Sequence, residues 1–401
     1  MPQRSRAALL AAALLTPPLA LAAPPVETRP PNAEGQQPAF ANQTRAPQPD
    51  RRPALAAQVV AEGLPQLWAM EFLPDGRMLV TAKAGEMRII DRNGRAGPPI
   101  AGVPKVDARG QGGLLDVALA PDFARSGRIY FSYAEPRTGG NGTSLATGRL
   151  VADAEGGGRL TEVAVIFRQM PTYAGTKHFG SRIVPAPDGT LFLTVGERSD
   201  RPIRDKAQDL SAGLGKVFRL NPDGTAARGN PFVGTARALP EIWSYGHRNL
   251  QAAALDGRGR LWTVEHGPKG GDELNRPERG RNYGWPVITY GEDYSGRPIG
   301  RGLTSQAGME QPVYYWDPVV APSGMAWYDA RLIPEWRGAF VIGGLGTKGL
   351  VVLHMQGDRV AAEERVPLGA RIRDVKVGPD GAVYAVTEED RSRILRIAPK
   401  G

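Results

Sequence analysis

The sequence predicts an all-β fold, a six-bladed β-propeller, on three observations. Glycine (51 residues) and proline (36) together exceed a fifth of the 401-residue chain, against a usual share of ~12%. So many chain breakers disfavour a helical bundle and favour short strands joined by turns. One phrase then recurs six times, an Asp/Gly turn followed by a strand that alternates apolar with small or polar residues. The copies, around Asp75, Asp122, Asp188, Asp256, Asp329 and Asp380, stand 47, 66, 68, 73 and 51 residues apart. That is roughly 57 residues per unit, enough for four strands and their loops.

Each turn suits a tight hairpin, because glycine accepts positive φ and the aspartate caps the turn. The strands that follow read with period two. A β-helix needs a far shorter repeat, and a pair of sandwiches does not explain six similar turns.

Taken in order, residues 1–23 read as a signal peptide. Arg4 and Arg6 form a positive start, and Ala7–Leu15 an apolar stretch too short to span a membrane. Small residues around Ala22 and Ala23 offer a cleavage site. This implies export to the periplasm, and nothing later in the chain is long and apolar enough to anchor it. Residues 24–54 are rich in Pro, Gln, Asn and Arg and lack apolar periodicity, so a disordered linker is expected. Residues 55–401 carry the repeats and form the expected propeller domain.

Composition excludes some chemistry. With no cysteine there is no disulfide, thiolate metal site or cysteine nucleophile, and four histidines cannot build a His-rich cluster. The net charge is +9, but the arginines are scattered among acidic residues, which argues against a nucleic-acid partner. Small anions gripped by a few convergent arginines fit better. No apolar edge strand argues for a dimer, so a monomer is expected.

Propellers carry their sites on loops at one end of the channel, so functional residues should be spread one or two per blade. The segments that do not look like hairpin filler are GQGGLLD from Gly110, TKHFGSR from Thr176, GER from Gly196, GHRN from Gly246, EHGPKGGDELN from Glu265, GTKG from Gly346 and RIRD from Arg371. Arg248, Lys348, Arg371 and Arg373 are cations beside strand ends. Arg371 and Arg373 share a face with Val375 and Val377, which predicts that they point inward. Such a set suits a ligand with several carboxylates.

His178 precedes a strand, and Glu197 ends the strand of the same hairpin unit, where it could orient an imidazole acting as general base. The Gly-rich, acidic stretch Glu265–Asn275 could offer carbonyls and carboxylates to a hard cation such as calcium, although it lacks EF-hand spacing. A Gly-x-Gly-x-x-Gly match at Gly344, Gly346 and Gly349 leads into a further strand rather than a helix, so it does not read as a dinucleotide loop.

With those residues in hand, the chain resembles the soluble, quinone-dependent glucose/sorbosone dehydrogenases, most closely their periplasmic aldose sugar dehydrogenase branch. The likeness spans roughly residues 60–398. It implies a six-bladed propeller that binds pyrroloquinoline quinone (PQQ) and calcium, and oxidises aldoses at C1 to lactones for an external electron acceptor. By resemblance, His178 is the base and Glu197 its acidic partner. Gln111 contacts cofactor and substrate. Arg248 and Asn249 hydrogen-bond the quinone oxygens, and Lys348, Arg371 and Arg373 hold the cofactor carboxylates. Gly267 and Pro268 offer carbonyls to a calcium on the quinone, and Glu273 and Tyr283 bind a second, structural calcium. Trp316, in YYWDPVVAPSG, lies near a substrate-lining segment whose spacing differs from that of the glucose-specific form. A calcium-dependent propeller lactonase and a non-catalytic glycan- or protein-binding propeller are the competing readings.

Overall fold

The computed structural model describes residues 23–401 except 154, 155 and 202. The signal-peptide segment therefore lies outside the described residues, apart from its last residue. Among the described residues no helix is long and apolar enough to cross a membrane.

The strands form six antiparallel sheets, five of four strands and one of three. Their innermost strands are Leu67–Phe72, Leu114–Leu119, Gly180–Pro185, Asn249–Leu255, Pro322–Tyr328 and Ile372–Val377, which stand side by side around a central axis. Each Asp/Gly phrase marks the hairpin between the first and second strands of a blade. In the third blade Gly189, at φ +84°, donates its N–H to the Ala186 carbonyl at 3.0 Å, while Asp188 Oδ1 accepts the Thr190 N–H at 3.0 Å. That is the short turn the Asp-Gly pair predicts.

The sixth blade closes the ring. Its outer strand is Leu55–Leu64, which runs antiparallel to Ser392–Pro399 from Leu55 opposite Pro399 to Leu64 opposite Ser392. Pairing the two ends of the propeller leaves no open joint between first and last blades. The apolar core is divided in the same way. Six buried clusters each lie between two neighbouring blades, such as Trp68, Leu79, Phe131 and Leu150 between the first and second.

Residues 24–54 correct the expectation of a disordered linker. They are ordered and packed on the fourth and fifth blades. Gln43 and Ala46 are fully buried, and Ala46 joins the apolar layer between those blades beside Tyr314 and Trp316. Composition misleads here because the segment has no core of its own and uses that of the propeller.

At the axis, Arg182 Nη1 lies 2.9 Å from both Asp116 Oδ1 and Asp374 Oδ1. Its Nε donates to the Gln251 carbonyl at 2.8 Å, and its guanidinium lies over Trp68. The other carboxylate oxygens accept N–H groups from Ile183 and Met70. This knot joins the first, second, third, fourth and sixth blades at the floor of the site.

Candidate active site

The site lies at the end of the barrel opposite the Asp/Gly turns. A cavity of about 240 Å³ is walled by Gln66, Trp68, Lys83, Gln111, Asn249, Gln251, His266, Arg371, Arg373 and Glu388. A larger hollow of about 500 Å³ opens at the Asp188 and Asp256 turns, the far end of the third and fourth blades. It is lined by five arginines and no histidine, whereas a histidine, His266, walls the smaller cavity.

Beside it, His178 Nδ1 stands 2.7 Å from Glu197 Oε2, with both side chains buried. His178 holds φ at +51°, a region non-glycine residues rarely enter. Two features fix it there. Gln111 Oε1 accepts the His178 N–H at 2.8 Å. Gly196 lets the neighbouring strand approach, since a Cβ there would lie 2.3 Å from the His178 carbonyl oxygen. Burial lowers the imidazole pKa against the pull of Glu197, and Arg248 lowers it further. Burial would raise Glu197, but the nearby His178 and Arg248 hold it below its ordinary value. The result is a neutral imidazole whose Nδ1–H points at a carboxylate, with Nε2 making no hydrogen bond to the described residues.

The Arg248 backbone N–H donates to Glu265 Oε2 at 2.5 Å, and its Nη1 donates to the carbonyls of His266 (2.9 Å) and Gly267 (2.6 Å). Its Nε is buried without a partner. Asn249 Oδ1 accepts the Gly180 N–H at 3.1 Å, which ties the third and fourth blades together under the cavity. His266 is pushed down to about 3 by burial, and its Nε2 meets the Pro322 carbonyl.

A small cavity of about 10 Å³ lies behind Arg248, lined by Glu265, Gly267, Glu273, Tyr283 and Trp285 among others. Burial, and then the charge of Glu265, pushes the Glu273 carboxyl well above the carboxylate range. Two carboxylates around so small a space would be stabilised by a cation. Tyr283 cannot offer its hydroxyl, which donates to the Arg276 carbonyl and accepts the Glu278 N–H, while its ring stacks on His247. Only its backbone carbonyl is left for a metal. Pro268 is buried beside Gly267.

Arg371 and Arg373 both line the cavity and both pair with Glu388, Arg371 at 2.6 Å, although Arg371 precedes the strand and a bulge between Ile372 and Asp374 breaks the strict alternation. Lys348 is not gathered into that wall. It stands exposed at the tip of a tight turn, at φ +51°, while Leu345 of the same turn lines the cavity. That turn links strands Ala339–Gly344 and Gly349–Gln356, so no helix follows the Gly-x-Gly-x-x-Gly match. Trp316 is buried in the apolar layer rather than facing the cavity. The sequence reading missed Lys83 and Glu388. It also missed Asp272, whose carboxylate accepts the N–H groups of Gly267, Val320 and Ala321 at 2.7–2.8 Å.

Comparison with known proteins follows the same lines. The glucose / sorbosone dehydrogenase profile matches residues 64–396. The chain belongs to this family. Aldose sugar dehydrogenase YliI of Escherichia coli is 44% identical over 349 residues, 86% of this chain and 92% of that protein. The crystal structure of the soluble E. coli aldose sugar dehydrogenase in its apo form superposes with a TM-score of 0.82 at 43% identity, covering 86% of this chain and 100% of that one. The PQQ-bound form of aldose sugar dehydrogenase from Streptomyces coelicolor matches at a TM-score of 0.69 and 29% identity, again over 86% and 100% of the two chains. Membership of the glucose/sorbosone dehydrogenase family supports an oxidoreductase that acts on a sugar.

Proposed function

We propose that the protein is a PQQ- and calcium-dependent aldose dehydrogenase that oxidises the sugar C1 hydroxyl to a lactone. The observation that carries this is the buried His178–Glu197 pair beside a cavity that presents Arg371, Arg373, Lys83, Gln111 and Asn249. Those residues fit the cofactor. Three cations suit an anion with several carboxylates, and the unpartnered Nε of buried Arg248 is a donor in want of an acceptor. Gly267 and Pro268 would hold the catalytic calcium through their carbonyls, and Glu273 with the Tyr283 carbonyl a structural one. When bound, the quinone supplies the two-electron acceptor for the C1 hydride.

The chain's own residues do the rest. Glu197 holds the Nδ1–H of His178, which leaves the Nε2 lone pair to take the C1 hydroxyl proton. The imidazolium so formed is stabilised by the adjacent carboxylate. Arg371 and Arg373 orient the ligand, with Glu388 setting the position of both guanidinium groups. Lys348, at its exposed turn, would reach a carboxylate at the cavity's outer edge. The lactonase reading needs a cation deep in the channel, but the Arg182 guanidinium already sits between Asp116 and Asp374 there.

By this reading the N-terminal segment directs export to the periplasm, and the mature monomer passes electrons to an external acceptor. The test is reconstitution. Chelator-treated protein should gain aldose-dependent dye reduction only when PQQ and calcium are both added. No turnover with any aldose under those conditions would sink the proposal.

A further inference from the structure

The ordered segment 24–47 lies upstream of the family match, which begins at residue 64, so the family's shared features do not account for it. Three of its contacts meet at one residue. Asp317 is 5% exposed, and its two carboxylate oxygens accept the backbone N–H groups of Asn32 (2.7 Å) and Ala33 (3.0 Å). Arg45 adds a bond from Nη2 to the Asp317 carbonyl at 2.9 Å, and its Nη1 holds the Glu27 carbonyl at 3.0 Å. Gln43 accepts the Tyr315 N–H at its backbone carbonyl (2.8 Å) and donates from Nε2 to the Pro312 carbonyl (2.9 Å).

Asp317 in turn abuts the Gly267–Gly271 loop. A Cβ on Gly270 would lie 2.7 Å from Asp317 Oδ1, so loop and carboxylate are in direct contact. The Gly271 N–H donates to the Trp316 carbonyl at 2.9 Å. From the other side, Asp272 Oδ1 accepts the Gly267 N–H at 2.8 Å. The loop is thus held between two carboxylates, and the outer one is kept in place by amides of the N-terminal segment. Without those amides a buried carboxylate loses its hydrogen bonds and has reason to turn to water.

We propose that residues 24–47 are a clamp that fixes the Gly267–Gly271 loop through Asp317, and thereby raises affinity for the calcium held by the Gly267 and Pro268 carbonyls. The calcium half rests on the function proposed above; the clamp itself does not. Asp317 is a positioning residue, since it acts through the loop.

The test uses the mature chain, a variant lacking residues 24–47, and Asp317→Asn, which carries the test if the deletion does not fold. Amide hydrogen exchange at Gly267, Lys269 and Gly271 reads the loop directly. Calorimetric titration of cofactor-free protein with calcium reads the metal. Expected are exchange at least about tenfold faster in the loop with distant blades unchanged, and calcium affinity lower by about 10–100-fold, the usual effect of losing an outer-shell partner. Glu27→Gln, which removes an ion pair to Arg365 but leaves Asp317 alone, should change neither. Unchanged loop exchange in the folded variants overturns the clamp, whatever the calcium affinity does. Faster exchange in a protein whose parent binds no calcium upholds the clamp and removes the calcium assignment instead.

Discussion

Arg182 and Arg248 are both buried arginines of neighbouring blades, and each lies over a tryptophan, Trp68 at 4.4 Å and Trp285 at 5.0 Å. Their partners differ. Arg182 has two carboxylates and two carbonyls, and every nitrogen of its guanidinium is engaged. Arg248 has two carbonyls, no carboxylate, and an Nε with no partner. A buried polar group left unpaired is costly. The Arg182 knot has none and is architecture, while the free Nε of Arg248 is a donor that a bound ligand would satisfy.

The comparison breaks if the two classes of residue fail to separate in experiment. The largest effect is expected at His178. His178→Ala should lower turnover by roughly 10²–10⁴, the range for loss of a general base, while leaving PQQ affinity near that of the parent. The working form is the neutral imidazole, and its pKa is lowered below the ordinary 6.5. Turnover of the parent should therefore hold at neutral pH and fall as the pH drops through that lowered value. A variant that loses the cofactor instead of the rate would show that His178 is an anchor.

Arg182→Met should act in the opposite way. It leaves Asp116 and Asp374 buried together without their cation, and removing one partner of a buried pair typically costs about 3–5 kcal/mol. Denaturant unfolding should show that loss, while the protein that remains folded keeps its PQQ affinity. Unaltered stability would remove the distinction between the two arginines.

Arg373→Ala sits between these extremes. On the proposed function it deletes a charge-assisted bond to a cofactor carboxylate, worth about 1.5–3 kcal/mol, so PQQ affinity should drop by about 10–100-fold. Turnover at saturating PQQ should largely recover. Normal binding with no turnover would move Arg373 from anchoring to catalysis.

Much of this was legible in the sequence because the signals are local. A turn aspartate, followed directly by glycine in four of the six copies, and the alternating strand after it lie close together in sequence, so six copies announce six blades. Gln111, His178, Glu197, Arg248 and Arg373 could be found because each lies in a phrase that a hairpin does not need. Lys83 and Glu388 escaped notice, yet a positional rule would have found them. Each follows its turn aspartate, Asp75 or Asp380, by eight residues, while Glu197 follows Asp188 by nine and His266 follows Asp256 by ten. In those four blades the ionisable residue at that offset stands at the cavity end of the second strand, whereas in the fifth the residue eight after Asp329 is Arg337, which precedes its strand. The N-terminal clamp was not legible. Its order comes from Asp317 and Tyr314, nearly three hundred residues away, and no local pattern carries that information.

The smallest predicted effect belongs to that clamp and tests the comparison where it is weakest, at a charged group that is both well paired and peripheral. Glu27 is held down to about 2 chiefly by its bond to Arg29, with Arg365 2.8 Å away adding to it and burial opposing. Its ordinary value is 4.5. The folded pKa is depressed, so the unfolded chain binds the proton more readily. The stability Glu27 contributes is then fully present above about pH 4.5 and is lost as the pH falls toward 2. Glu27→Gln should therefore lower the melting temperature modestly at pH 7 and make it less sensitive to acid between those two values. Because Glu27 does not wall the cavity, turnover at pH 7 should not change. If the acid sensitivity of the parent and the variant coincide, Glu27 is not held by its arginines in solution, and the anchorage of residues 24–47 rests on Gln43, Ala46 and Asp317 alone.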